Sequence, residues 1–212
     1  GNARPRELRL VNMTFDGIQG QVIKAGLWGS GDDGEPPFDL IMENLNLVNI
    51  ALVTEDPAAI RVGGNARPAQ DEGPALVRLK DSQGSALFGQ FLAVDLHSAN
   101  VEVVGIRLDD VETHANDPAA IRVGGNARPA RQFTLMDTEL TNVIGNAIVA
   151  DADSVRLSRV MVSDCQPPES DPAAIRVGGN ARPIAEVQVD DIQLIRVGGN
   201  ASPGAAEVVG LV

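Results

Sequence analysis

The stretch NVEVVGIRLDDVE, Asn100–Glu112, carries the spacing that decides the fold. Its apolar residues stand at offsets 0, 2, 5, 7 and 10 from the first, and they are Val101, Val103, Ile106, Leu108 and Val111. Offsets of two are typical of a β-strand, because alternate side chains point to one face. A jump of three marks a bend that keeps the apolar residues facing inward. The stretch therefore predicts short strands joined by bends, with one apolar face.

The same spacing recurs along the chain and defines a repeating unit. The units begin at Leu8, Leu40, Val77, Val101, Phe133, Val155 and Val187. The shortest unit, from Phe133 to Val155, has 22 residues, and turn insertions lengthen others to 32. In each unit a second short strand follows the first block. Self-similarity at such a period is the mark of a repeat architecture.

The repeating unit predicts an all-β fold, because no helical i, i+3, i+4 stripe lies between the strands. Coils of this kind stack and bury a continuous column of Val, Ile and Leu. Crossovers between parallel strands are nearly always right-handed. We therefore expect a right-handed parallel β-helix, a solenoid of about seven coils, with a minimal coil of 22 residues plus turn insertions. It is expected to form a single domain over 1–212, with an irregular insertion around 69–92 and a C-terminal cap or modified coil at 195–212.

One segment repeats without any change. DPAAIRVGGNARP occupies Asp56–Pro68, Asp117–Pro129 and Asp171–Pro183, and IRVGGNASP follows at Ile195–Pro203. The other strands keep only their apolar character. Recent duplication, engineering and a self-assembling surface that requires uniformity are three open explanations. The chain also opens with GNARP, so Gly1 is expected to be an engineered or processed boundary inside a further copy.

Composition excludes several classes of function. The net charge of −12 argues against a nucleic-acid partner, because phosphate binding needs a basic face. No stretch has the length of a membrane helix, so no membrane partner is expected. The single Cys165 excludes an internal disulfide and a cysteine-based zinc site, and no metal ligands are predicted. Five Phe, one Trp and no Tyr leave few platforms for sugar stacking.

Three blocks carry a resemblance to a known superfamily. ELRLVNMTFDGIQGQVIKA, NVEVVGIRLDDVE and SVRLSRVMVSDC resemble coils of the pectate-lyase-like β-helix superfamily. The likeness covers nearly the whole chain, and it is one of pattern. The resemblance implies a polysaccharide lyase, a glycoside hydrolase, a phage tailspike or a non-enzymatic module, in an extracellular or cell-surface location. The Asn-Thr-Asp and Gly-His-Gly signature of polygalacturonase-like enzymes is absent.

The second strand of each unit carries a row of cations. In AAIRV, Ile60 and Val62 share one face and Arg61 takes the other. The corresponding positions along the stack are Lys24, Arg61, Asp95, Arg122, Val149, Arg176 and, in a shifted register, Arg196. One interpretation is a binding face for an acidic polysaccharide, with Arg61, Arg122, Arg176 and Arg196 as ligand-binding residues. The other is a solvated ladder in which Asp95 relieves the repulsion between Arg61 and Arg122.

Carboxylate pairs are the first candidates for catalysis, because glycoside cleavage commonly uses two carboxyl groups. Asp109 and Asp110 form such a pair, although other units place Asn or Asp at the same offsets, which favours a turn position. The resemblance to β-helical lyases implies instead a Lys or Arg base, often with Ca²⁺. Arg78 and Lys80 are the basic pair beside an acidic insertion. Lys80, Arg78, Asp109 and Asp110 are therefore the catalytic candidates, and Ca²⁺ is the cofactor expected of a lyase.

Two functions follow from these patterns. The first is a non-catalytic β-helical module that serves as a structural or assembly scaffold, with an arginine-rich face for acidic polysaccharide. Open strands at the ends of such a stack favour end-to-end self-association. The alternative is a fragment or small member of a polysaccharide lyase or glycoside hydrolase family that acts on uronate-containing glycans.

Overall fold

A computed structural model describes the chain over residues 7–25, 39–52, 58–63, 76–96, 99–114, 119–124, 129–178 and 184–198. This part of the chain is all-β, as predicted, and contains no helix. Consequently, none of the described residues belong to a helix that could cross a membrane. Asp71 and Glu72 of the acidic insertion near Arg78 and Lys80, most of the GGNARP sequences and the C-terminal segment 199–212 lie outside the described residues.

Fifteen strands make up the described fold. In chain order they are β1 (Glu7–Asp16), β2 (Ile23–Ala25), β3 (Asp39–Ala51), β4 (Ala58–Gly63), β5 (Leu76–Lys80), β6 (Gln83–Phe88), β7 (Gln90–Asp95), β8 (Asn100–Val104), β9 (Arg107–Glu112), β10 (Ala119–Val123), β11 (Ala130–Ile144), β12 (Asn146–Ala150), β13 (Ala152–Gln166), β14 (Ile175–Val177) and β15 (Glu186–Ile195).

The strands form two parallel sheets. The first sheet has nine strands, and β1, β3, β11, β13 and β15 cross it in single long strands. Between β3 and β11 it divides into two paths, one through β5 and β8 and one through β6 and β9. The second sheet has six strands in the order β14-β12-β10-β7-β4-β2. The second strand of successive units therefore pairs with its counterpart in a sheet of its own.

The register of the first sheet confirms the predicted alignment of the units. Each predicted starting residue pairs with the next, in the series Leu8, Leu40, Val77, Val101, Phe133, Val155 and Val187. A one-residue slip would turn every apolar side chain to the opposite face. The apolar period read from the sequence therefore fixes the strand pairing.

Two residues per unit have a left-handed backbone, and they are the bends that the jumps of three predict. At offset four they are Asn12, Asn44, Asp81, Gly105, Asp137, Arg159 and Asp191. At offset nine they are Gly17, Asn49, Ala86, Asp110, Asn142, Asp164 and Arg196. Asn, Asp and Gly tolerate this conformation best. Their recurrence explains why the otherwise divergent units keep these polar positions.

The core is a column of aliphatic side chains. On the second sheet the inward position carries Ile23, Ile60, Leu92, Ile121, Ile148 and Ile175, each paired with the next. Phe91 and Phe133 are fully buried within the same core. A Cβ at Gly84 would lie 3.0 Å from the ring of Phe91, so this glycine makes room for the aromatic side chain.

Candidate functional site

The outward row of the second sheet differs from the predicted one at Asp95. In the observed register Ala93, not Asp95, pairs with both Arg61 and Arg122. The reason is that Leu92 is the inward residue that pairs with Ile60, which sets Ala93 beside the arginine. Asp95 lies two residues further on and pairs with Gly63. The placement of Asp95 in the row was therefore wrong.

Arg196 does not belong to the row either. It follows β15 on the first sheet, at the left-handed position of its unit. Its guanidinium binds the carboxylate of Asp164 through Nε and Nη2, both at 2.6 Å. This contact lowers the pKa of Asp164 and raises the pKa of Arg196. The shifted register was wrong because IRVGG follows Leu194 directly, so that Arg196 falls at the bend at offset nine.

The remaining arginines of the second sheet are held by carboxylates. Asp95 Oδ2 accepts hydrogen bonds from Arg61 Nη2 at 2.7 Å and from Arg122 Nη2 at 3.0 Å. Both arginine side chains are 20% exposed, and that of Asp95 is 16% exposed. Asp95 therefore relieves the repulsion between Arg61 and Arg122, as expected, although it lies outside their row. Arg176 forms a weaker, more exposed ion pair with Asp171 at 3.2 Å. We call Arg61, Asp95 and Arg122 the arginine triad.

The basic catalytic candidates lie on β5 and also have acidic partners. Arg78 Nε donates to Glu102 Oε2 at 2.7 Å, and this hydrogen bond raises the pKa of Arg78. Lys80 Nζ lies 3.4 Å from Asp81 Oδ2, and both side chains are about half exposed. In the described part of the chain, no hydrogen bond or ion pair joins these bases to Asp109 or Asp110.

The acidic candidates lie on β9 and have different roles. Asp109 Oδ1 accepts a hydrogen bond from Asn142 Nδ2 at 2.9 Å. Asp110 occupies the second bend of its unit, with a φ of 57°. Its carboxylate sits where other units place Asn or Asp for backbone reasons. The structure therefore confirms the turn position of Asp110 and leaves Asp109 facing outward on the sheet.

The described residues contain no group of three or more His, Cys, Asp or Glu placed to hold a metal ion. Cys165 faces inward and is fully buried, with its thiol donating to the carbonyl oxygen of Gly145 at 3.3 Å. Burial raises the pKa of this thiol to about 12. A thiol that remains protonated is a core side chain and a poor nucleophile.

A polar groove on the first sheet is the feature that the sequence did not reveal. Its volume is about 570 Å³, and it crosses β3, β6, β9 and β11. The polar residues that line it are Asn46, Gln83, Ser85, Arg107, Asp109, Glu139, Thr141 and Asn142. Most stand at offsets six and eight of four successive units, which is the only sequence signal that could have found them. We call this feature the polar groove.

Comparison with protein-family models, with curated proteins and with solved structures finds no match to this chain. The arginine triad on the second sheet and the polar groove on the first are thus characterised by their geometry. In the first, one carboxylate is shared by two arginines, and the second is an open surface lined by hydrogen-bonding groups.

Proposed function

We propose that the chain is a right-handed parallel β-helix that serves as a non-catalytic structural scaffold. One observation supports this proposal above all: the first residue of every unit pairs with the first residue of the next, in register. Each unit also has two left-handed bends. Seven stacked coils at the usual strand spacing would form a rod about 34 Å long. The resemblance to the pectate-lyase-like superfamily enters this proposal as a likeness of fold.

The engagement of the polar side chains supports a non-catalytic role. General acid–base catalysis needs a titratable group that can reach the substrate and is free to exchange a proton. Arg78 is held by Glu102, Asp109 accepts from Asn142, and Asp110 serves a bend. These contacts give Arg78 and Asp110 structural roles, and none of them joins a candidate acid to a candidate base. A lyase or hydrolase acting on uronate glycans is the outcome that would replace this proposal.

The proposed partner of the second sheet is an acidic polysaccharide. Arg61 and Arg122 lie on alternate strands, about 9.6 Å apart at the standard strand spacing. With Asp95 the arginine triad carries one net positive charge, and the ion pair of Arg176 with Asp171 leaves the guanidinium of Arg176 more exposed. This part of the proposal is tested by changing Arg61, Arg122 and Arg176 together to Gln. Loss of retention on immobilised polygalacturonate is expected, and unchanged retention would refute it.

The proposed assembly is end-to-end stacking of copies, in an extracellular or cell-surface location. It is supported by β1 and β15, the outer strands of the first sheet within the described part of the chain, which expose apolar side chains such as Leu8 and Val189. Unpaired strand edges favour pairing with another chain. Light scattering across a range of concentrations tests it. A mass that stays monomeric throughout would count against stacking.

A panel of polyuronates, monitored for unsaturated products in the ultraviolet with and without Ca²⁺, tests the non-catalytic role. The scaffold proposal expects no turnover under any condition. Arg131→Ala, an exposed change on β11, is the control for non-specific damage. Turnover that Lys80→Ala abolishes and Arg131→Ala leaves intact would establish the lyase instead.

A further inference from the structure

We propose that the polar groove binds a short, uncharged oligosaccharide through the side chains of Arg107, Asp109 and Glu139. This goes beyond the scaffold role and names a site on the opposite sheet from the arginine triad. It depends on the observed sheet and not on how the complete chain coils. The ligand class follows from the hydrogen-bonding groups, the charge and the extent of the groove.

The polar groove contains both hydrogen-bond donors and hydrogen-bond acceptors. Arg107 supplies up to five N–H donors, and no hydrogen bond or ion pair joins its side chain to another described residue. Asp109 and Glu139 supply carboxylate acceptors, while Ser85 and Thr141 supply hydroxyls that donate and accept. A ligand that matches such a mixture must itself donate and accept at many points. Sugar hydroxyls do both.

Part of the groove is already ordered by hydrogen bonds between neighbouring strands. Gln83 Nε2 donates to Asn46 Oδ1 at 3.1 Å, and Asn142 Nδ2 donates to Asp109 Oδ1 at 2.9 Å. These contacts fix one atom of each side chain and leave the second amide or carboxylate atom for a ligand. Polar groups held in place before binding lose less entropy when the ligand arrives. The groove is therefore preorganised on both sides of Ser85 and Arg107.

The charge of the polar groove favours a neutral ligand over a polyanion. Arg107 contributes one positive charge against the two carboxylates of Asp109 and Glu139, and the whole chain carries −12. A polyuronate would meet net repulsion here, unlike at the arginine triad. Among the described residues the lining contains no aromatic ring, so binding would combine hydrogen bonds with contacts to aliphatic carbon atoms. Three strand spacings give a length of about 14 Å, which suits a ligand of a few sugar rings.

The test is titration calorimetry of the complete chain with three hexameric probes: cellohexaose, maltohexaose and hexagalacturonate. At least one neutral hexamer is expected to bind, and hexagalacturonate is expected to bind at least tenfold more weakly in the groove. Arg107→Gln and Asp109→Asn should each weaken the neutral complex about tenfold, the loss of one charged hydrogen bond. Arg131→Gln, an exposed arginine on β11 outside the groove, should change nothing.

Either of two results would overturn the proposed binding site. Absence of binding by both neutral hexamers at millimolar concentration would do so, as would equal binding to the Arg107→Gln variant. Matched thermal melts of the variants establish that a loss of binding is not a loss of fold. Hexagalacturonate binding that depends on Arg107 would replace the neutral ligand with an acidic one. None of these results bears on turnover, so the scaffold proposal stands or falls separately.

Discussion

Both sheets are built from parallel strands in register, but their outer faces differ. The second sheet presents a tightly packed face, where the buried Ala93 lies between Arg61 and Arg122 and two glycines lie against neighbouring backbone. The first sheet presents an outer face of polar side chains that surround a groove. Substitutions should therefore cost stability on the second sheet, whereas on the outer face of the first sheet they should chiefly change binding.

The largest difference is expected between two glycines with similar backbone. Gly124 and Gly17 have φ values of 72° and 67°. A Cβ at Gly124 would lie 1.9 Å from the backbone oxygen of Asp151, whereas no atom of the described residues comes within 4 Å of a Cβ at Gly17. Gly124→Ala should cost about 3 kcal/mol or more, and Gly17→Ala about 1 kcal/mol from backbone strain alone. Urea unfolding of both variants measures the pair. Equal losses would contradict the close approach.

The second-largest loss of stability is expected when the carboxylate of the arginine triad is removed. Asp95→Asn leaves two largely buried arginine side chains without their shared carboxylate, and the expected loss is about 1–2 kcal/mol after allowance for partial exposure. Asp137→Asn is the matched control, because Asp137 also accepts two hydrogen bonds from an arginine but lies on the exposed surface. The control should be thermodynamically silent. If Asp95→Asn leaves the free energy of unfolding unchanged, the arginine triad is a solvated ladder that does not stabilise the fold.

A gain in stability is expected at Ala86 on the first sheet. Ala86 occupies a left-handed bend with a φ of 51°, where five of the six other units place Gly, Asn or Asp. Ala86→Gly should therefore raise the free energy of unfolding by about 0.5–1 kcal/mol. Ala152→Gly on β13, which is not at a left-handed position, should lower it. Thermal denaturation of both variants distinguishes relief of backbone strain at the bend from a general effect of glycine. Destabilisation by Ala86→Gly would contradict a left-handed backbone at residue 86.

The smallest effect at neutral pH concerns the buried thiol. The folded-state pKa of Cys165 is raised to about 12 from an ordinary value of 9.0. The folded state thus holds this proton more tightly than the unfolded state, so its contribution is complete below pH 9 and falls as the pH rises toward 12. The stability difference between the wild type and Cys165→Ala should shrink over this range. A difference that stays constant from pH 8 to 11 would show an unperturbed thiol.

Much of the fold was predictable because the apolar residues alone determine the register. Val77 and Phe133 align with their neighbours through the spacing of buried side chains, and the jumps of three correspond to left-handed bends. Asp95 and Arg196 were misplaced because outward residues are not constrained by burial, so counting along the chain gives no check on their register.

The polar groove could not be predicted for a related reason. Polar side chains at outward offsets look alike in sequence whether they surround a groove or cover a flat surface. Ser85 has a short side chain and pairs with Val48 on one side and Asp109 on the other. The groove becomes visible only when these neighbouring strands are placed beside it. At Ala86 and Arg159 only the apolar spacing indicates a bend, because neither residue type favours a left-handed backbone.

The stacking of the units is the central claim, and interstrand NOEs in isotopically labelled protein test it most directly. Leu92 should show backbone contacts to Ile60 on one side and to Ile121 on the other, in the pattern of parallel strands. Val101 should show the same contacts to Val77 and Phe133 on the first sheet. An antiparallel pattern, or contacts shifted by one residue, would contradict the stacked parallel arrangement.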